Sequence, residues 1–293
     1  MPEQVGVVGL GRMGLAMAVT LQRAGLAVTG FDIAAAVRER AAGEGVAVAT
    51  GLAELLADTP IVLASLPDDA AVTDLVEGAG GLLEGPPDRL LIDTSTVEPA
   101  TSRRLAATLE AAGHAMLDAP VSGGPAGAAA GTLTVMVGGS EADLARAAPV
   151  FAAIAQKVVH VGPCGAGAVA KLVNNLLCAA HLLTNGEAMR LAEAAGVPAE
   201  RVLEAINAAS GRSAVSEVNL PRWVLSGAFD SGFTMGLMRK DVRLAGRLLE
   251  ASGIQAQLSR EVIDRWAASA GQLPDEADFN RIAALEDRAD DRA

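Results

Sequence analysis

The chain has no tyrosine, and only five phenylalanines and two tryptophans in 293 residues. So few aromatic faces leave little on which to stack bases. Basic charge is also short, with 23 Lys and Arg against 35 Asp and Glu, a net charge of -12. A chain this acidic repels phosphate backbones, so no nucleic-acid partner is expected. Two cysteines, Cys164 and Cys178, exclude a disulfide scaffold and a cysteine-built zinc module. Both are read as free thiols in a reducing cytosol, most simply as small buried side chains. The three histidines, His114, His160 and His181, share no ligand spacing with one another or with the cysteines, and no metal is expected. Met1-Pro2-Glu3-Gln4 offers no basic region ahead of a small-residue cleavage site, so a cytoplasmic location is expected. The most apolar long segment, residues 166–183, is interrupted by Lys171, Asn174, Asn175 and His181. Burying those groups in lipid is expensive, so no membrane span is expected.

What the chain does have is apolar bulk. It is 51 % hydrophobic and 20 % charged, enough for a sizeable core and too apolar for a disordered chain. Its length suggests about two domains, at roughly 100–200 residues each. In the first half, short apolar runs alternate with helix-period segments. Residues 5–8, 27–31, 61–66, 90–92, 115–117, 133–137 and 158–161 read as strands, and residues 13–24 as the first helix. Such alternation implies βαβ units and a mostly parallel sheet covered on both faces. After Gly162-Pro163-Cys164-Gly165 the pattern turns helical. One long helix is expected over 167–195, stopped by Gly196-Val197-Pro198, then helices over 199–209, 237–252 and 259–270. Residues 212–232 read as a connecting stretch, and no strand is expected after Val161. The domain boundary is placed near 163, giving domains 1–163 and 164–293. The charged stretch 286–293 is expected to fray.

Gly9-Leu10-Gly11-Arg12-Met13-Gly14 is a G-x-G-x-x-G between the first strand and the first helix. The first Gly permits the tight turn, the second lets backbone approach a pyrophosphate, and the third lets helix and strand pack closely. The helix start then offers amide donors to the phosphates. Asp32, at the end of the second strand and 18 residues past Gly14, is placed to accept the ribose hydroxyls. A structural glycine turn with Asp32 as a helix cap is the blander alternative. A carboxylate there repels a 2′-phosphate, so NAD is favoured and NADP remains possible through Arg12 or Arg38.

Ligands of such sheets bind beyond the carboxyl ends of the strands, which singles out Leu66, Pro67, Thr96 and Ser122. Thr96 can offer a hydroxyl and an amide to the cofactor, or simply cap the helix that follows. Lys171 sits in a mostly apolar helical run. Burial penalises the ammonium form and favours an amine able to take a proton from an alcohol. Asn175 lies one helical turn on, on the same face. A lysine snorkelling from a partly buried helix is the alternative. Ser122-Gly123-Gly124 offers a hydroxyl and approachable amides suited to a carboxylate.

The residue 9–14 loop, Asp118-Ala119-Pro120-Val121-Ser122-Gly123-Gly124, Lys171-Leu172-Val173-Asn174-Asn175 and Lys240-Asp241-Val242 occur in that order. Together they resemble the β-hydroxyacid dehydrogenase family, which includes 3-hydroxyisobutyrate dehydrogenase and tartronate semialdehyde reductase. The likeness covers roughly residues 4–285, and DAPVSGGPAGAAAGTLTVMVGG is its most specific stretch. The resemblance implies an α/β fold, with a Rossmann-type doubly wound sheet followed by a long connecting helix and an all-α C-terminal domain. It implies Lys171 as the catalytic residue, residues 122–124 as the cradle of the substrate carboxylate and Asn175 as a substrate contact. It further implies Thr96 and Lys240 as cofactor contacts, and no metal. A surface ion pair with Asp241 is the plainer reading of Lys240.

The expected activity is hydride transfer between NAD(H) and a small 3-hydroxy acid or semialdehyde. Imine reduction on the same scaffold is the alternative enzyme, and its members usually lack the lysine matched by Lys171. A non-catalytic interaction module is a third reading, and loss of that lysine would mark it. Residues 210–217 fall where the family varies with substrate, and Arg212 or Ser213 is placed to touch the far end of one. An apolar helical domain of this size leads us to expect a homodimer or homotetramer.

Overall fold

Short apolar runs become strands, and the helix-period segments between them become helices, in a computed structural model that describes residues 4–285. Met1, Pro2, Glu3 and the charged stretch 286–293 lie outside the described residues. The order begins β1 (Gln4–Val8), α1 (Arg12–Arg23), β2 (Ala27–Phe31), α2 (Ala35–Gly43), β3 (Ala47–Val48), α3 (Leu52–Asp58), β4 (Ile61–Ala64) and α4 (Asp69–Glu77). It continues with β5 (Leu90–Asp93), α5 (Pro99–Ala111), β6 (Ala115–Asp118), β7 (Val121–Ser122), α6 (Gly124–Ala130), β8 (Leu133–Gly138), α7 (Glu141–Arg146), α8 (Ala148–Ile154) and β9 (Ala155–Gly162). The helical half holds α9 (Ala166–Ala194), α10 (Ala199–Asn207), α11 (Met235–Ser252) and α12 (Gln257–Ala268).

Among the described residues the strands form one nine-stranded sheet, ordered β3-β2-β1-β4-β5-β6-β8-β7 with β9 beside β8. Strands β1 to β6 pair in parallel. Their order, 3-2-1-4-5-6, is that of a dinucleotide-binding sheet, and it reverses between β1 and β4. The inner strands show no polar alternation because each alternates between two buried layers. Val5, Val7, Ile61, Leu63, Leu90 and Ile92 pack with Met17 and Leu21 on one face. Val62, Ala64 and Leu91 pack with Leu55, Leu105 and Leu109 on the other. Each fully buried leucine contributes roughly 1.5–3 kcal/mol, so these two layers hold the strand ends firmly in place.

Three features depart from the expected pattern. Strand β8 runs antiparallel to β6 and β7. Gly123 (φ 129°), Gly124 (φ 63°) and Gly131 (φ 68°) let the chain double back there, in a conformation that side chains resist. Among the described residues strand β9 pairs with β8 alone, and Val158, Val159 and Val161 stay exposed. The stretch read as a connection over 212–232 contains a wide helical turn at Val215–Val224. Pro221 has no N–H to give a tighter helix, and Val215, Ser216, Asn219 and Leu220 are the residues it buries.

The chain divides into two compact units, Met1–Lys171 and Leu172–Ala293. The core of the second holds Leu182, Met189, Leu203, Leu220, Met238 and Trp266. The indole N–H of Trp266 donates to the Ala179 carbonyl at 3.2 Å, tying α12 to α9. By length and mean hydropathy alone, α9 meets the measure of a membrane span. As folded here it buries Leu172, Ala179, Leu182 and Met189.

Candidate functional site

The turn after β1 is built on contacts that only glycine allows. Gly9 has φ 86°, and a Cβ there would lie 2.3 Å from the Ser65 carbonyl oxygen. A Cβ on Gly14 would lie 1.8 Å from the Gly9 carbonyl oxygen, so α1 starts directly on the turn. Gly11 is different: it is exposed, and a Cβ there would meet nothing within 4 Å. Gly11 caps α1 without a side-chain acceptor, and the first turn carries no acidic residue. The first amides of α1 therefore face open space, the arrangement that suits a pyrophosphate. Arg12 is exposed and Met13 half-buried, whereas Leu10 turns its side chain into the core beneath Gly30.

Asp32 closes the other side of this turn. Its Oδ2 accepts the Leu10 N–H and its Oδ1 accepts the Ala34 N–H, both at 2.9 Å. Arg38 donates to the Asp32 carbonyl at 2.6 Å and lies over the Phe31 ring, while Arg40 donates to the Leu10 carbonyl at 3.2 Å. The structure thus gathers Gly9, Leu10, Gly11, Gly14 and Asp32 around one turn. The open space over Gly11 and the carboxylate beside it fit a dinucleotide.

At the neighbouring strand ends, the Leu66 N–H donates to Ser95 Oγ at 2.9 Å, and Pro67 is exposed. Thr96 is half-buried on the loop after β5. Asp93 ends β5, its Oδ1 accepting the Ser95 N–H at 3.0 Å. Burial pushes the Asp93 carboxyl up to about 6, opposed by its bonds from Ser95 and assisted by the neighbouring Asp118 charge.

Residues 122–124 follow β6 and open α6. Ser122 and Gly124 are half-buried and Gly123 is exposed. A Cβ on Gly124 would meet nothing within 4 Å, so the space beside it is open. Asp118, at the end of β6, is buried and turns towards α9. Its Oδ1 accepts the Gly165 N–H at 2.7 Å and its Oδ2 the Ala168 N–H at 2.8 Å. Burial raises its carboxyl, and these two bonds oppose that. Burial also pushes the Cys164 thiol up to about 12, in keeping with an unreactive structural cysteine.

On α9, Lys171 is 8 % exposed and Asn175 5 %. They lie one turn apart on the stripe that continues through Ala179 and Leu182. In the second unit, Asn175 Nδ2 donates to Asp241 Oδ2 at 2.6 Å, and Lys240 Nζ lies 3.2 Å from Asp241 Oδ1. Lys240 and Asp241 are indeed an ion pair, but a largely buried one, with side chains 17 % and 3 % exposed. Asp241 is the functional candidate that sequence reasoning missed. Its only signal was a carboxylate next to Lys240, which reads equally well as surface charge.

Arg212 is exposed, and Ser213 is held in a short turn by mutual bonds with Ser216. His114 Nδ1 accepts the Arg89 N–H, and burial and then Arg89 hold its imidazole below the usual range. His160 bonds the Gly139 carbonyl oxygen at 2.8 Å. Among the described residues, no three His, Cys, Asp or Glu side chains converge as a metal set.

Comparison with known proteins agrees with this geometry. Residues 4–162 match the family described as the NAD binding domain of 6-phosphogluconate dehydrogenase. Residues 165–285 match that described as NAD-binding of NADP-dependent 3-hydroxyisobutyrate dehydrogenase. A probable 3-hydroxyisobutyrate dehydrogenase of Mycobacterium tuberculosis is 37 % identical, covering 98 % of this chain and 99 % of its own. An NAD-dependent L-serine dehydrogenase of Pseudomonas aeruginosa is 36 % identical over 97 % of this chain and 98 % of its own. The solved structure of the Mycobacterium tuberculosis 3-hydroxyisobutyrate dehydrogenase with L-serine superposes with a TM-score of 0.89 at 36 % identity, covering 97 % of this chain and 99 % of that one. The chain belongs to the β-hydroxyacid dehydrogenase family, the NAD(P)-dependent oxidoreductases that include 3-hydroxyisobutyrate dehydrogenase.

Proposed function

We propose that the enzyme interconverts a small 3-hydroxy acid and its semialdehyde, of the 3-hydroxyisobutyrate or tartronate semialdehyde type, with Lys171 as general acid and base. The observation that carries this reading is a lysine 8 % exposed in an apolar helix face, with an equally buried asparagine one turn on. The amine takes the hydroxyl proton as the alcohol is oxidised and returns it when the carbonyl is reduced. Bound NAD(P) supplies the hydride acceptor or donor. Residues 9–14 and Asp32 hold its pyrophosphate and ribose, with Leu66, Pro67, Thr96 and Lys240 as further contacts. Ser122, Gly123 and Gly124 receive the substrate carboxylate through a hydroxyl and open amides, and Asn175 orients the reacting hydroxyl. Asp32 sets the preference for NAD, because its carboxylate repels a 2′-phosphate.

The names of the relatives support a 3-hydroxy acid in particular. L-serine carries its hydroxyl on the third carbon, as 3-hydroxyisobutyrate does, and both names occur among the relatives. The test is a panel of 3-hydroxyisobutyrate, L-serine, glycerate and 2-hydroxymethylglutarate, followed by NADH or NADPH absorbance. Oxidation of at least one of them, faster with NAD+ than with NADP+, is expected. Activity confined to 2-hydroxy acids or to cyclic imines would overturn the assignment.

A further inference from the structure

We propose that Asp118 is a positioning residue for Lys171, its carboxylate fixing the first turn of α9 on the end of β6 and so fixing where the amine is held. This rests on the role given to Lys171 above. The first amides of any α-helix lack an acceptor within the helix. In a capping box, two local side chains satisfy the amides of the cap residue and of the third helical residue. Here those donors are Gly165 and Ala168, and one carboxylate satisfies both from 47 and 50 residues away. A helix of 29 residues needs no such cap in order to form. A two-point bond to a buried strand end instead specifies where the helix starts and how it is turned about its axis. Lys171 lies three residues beyond Ala168, so displacement of that turn moves the lysine.

The packing beneath the turn points the same way. A Cβ on Gly167 would lie 2.4 Å from the Met136 carbonyl oxygen and 2.5 Å from that of Asp118. A Cβ on Gly138 would lie 2.3 Å from Asp118 Oδ1 and 2.9 Å from the Gly167 nitrogen. At Gly167 the helix therefore rests directly on strand backbone, with the Asp118 carboxylate beside the contact. Asp93, the cross-strand neighbour of Asp118, accepts the Ser95 N–H and does not share the Gly165 and Ala168 donors.

The test uses Asp118→Asn, which keeps the shape but turns an amide towards one of the two donors. The assay takes 3-hydroxyisobutyrate or L-serine with NAD+, whichever the wild type oxidises faster. A fall in kcat of about 10- to 100-fold is expected, the scale of an ångström-sized misplacement, with NADH affinity within about twofold of wild type. Lys171→Ala is assayed in parallel with added ethylamine. Its rescued rate is expected to be the same, within about twofold, with and without Asp118→Asn, because the free amine needs no anchored helix. Wild-type kcat in Asp118→Asn would overturn the proposal. So would an equal slowing of the amine-rescued reaction, which marks a general structural defect. Full activity of Lys171→Ala alone would instead remove the lysine reading on which the proposal rests. Should Asp118→Asn fail to fold, Gly167→Ala displaces the same turn with the carboxylate intact. The same loss of kcat at unchanged NADH affinity is then expected, and wild-type kcat would overturn the proposal.

Discussion

Asn175 and Asp241, 66 residues apart, are joined by a 2.6 Å hydrogen bond between two buried side chains. The other oxygen of Asp241 holds Lys240. One carboxylate thus ties together a proposed substrate contact and a proposed cofactor contact. Bonds of this kind, with one partner ionised, contribute about 1.5–3 kcal/mol.

Asp241→Asn keeps an acceptor for Asn175 but presents an amide to the Lys240 ammonium. The expected outcome is a KM for NAD+ raised about tenfold, a kcat lowered several-fold, and a urea midpoint lowered by the equivalent of about 1–3 kcal/mol. Steady-state kinetics beside a urea titration checks this. Unchanged kinetics with lowered stability would leave Asp241 a purely structural residue.

Asp93 links the site to pH. Its folded-state value of about 6 lies above the usual carboxylate range, with burial as the main cause. Between about pH 4 and pH 6 the native chain keeps a proton that the unfolded chain has released. Stability therefore falls as pH rises through that window, by on the order of 3 kcal/mol. Asp93→Asn retains an acceptor for the Ser95 N–H and removes the buried charge. It is expected to be more stable than wild type at pH 7 and equal to it near pH 4. Urea midpoints at the two pH values decide; a variant weaker at pH 7 would show that the ionised carboxylate is the stabilising form.

Asp32→Ala removes the repulsion of a 2′-phosphate and leaves Arg38 beside the vacated space, over Phe31. The ratio of kcat/KM for NAD+ over NADP+ is expected to fall by roughly tenfold or more. A ratio that does not move would place cofactor choice elsewhere.

Much of this arrangement is legible in the chain itself, for physical reasons. The residue 9–14 loop and Asp32 are readable because Gly9 and Gly14 answer local demands of a strand–turn–helix, while Gly11 leaves the helix start open. Lys171 is readable because the chain holds only three lysines, and this one interrupts an apolar helix. The long helix expected over 167–195 is found at Ala166–Ala194. Asp241 is hidden because its bonding partner Asn175 is 66 residues away in sequence, while only its neighbour Lys240 is visible beside it. The reversal of β8 rests on three glycine φ angles that composition does not reveal. The wide turn at Val215–Val224 is masked by Pro221, which on its own signals a break.

We propose a different surface for assembly. On α9, Val173, Leu177 and Leu191 recur along one face and stay exposed. Light scattering is expected to give a homodimer or homotetramer, and a monomer at all concentrations would contradict that expectation.

The most direct test of the account is Lys171→Ala, with kcat and NADH affinity measured on the same preparation. A loss of about 10²- to 10⁴-fold in kcat is expected, the usual share of a general acid–base group, with NADH affinity within about twofold of wild type. A variant that turns over at the wild-type rate would contradict it.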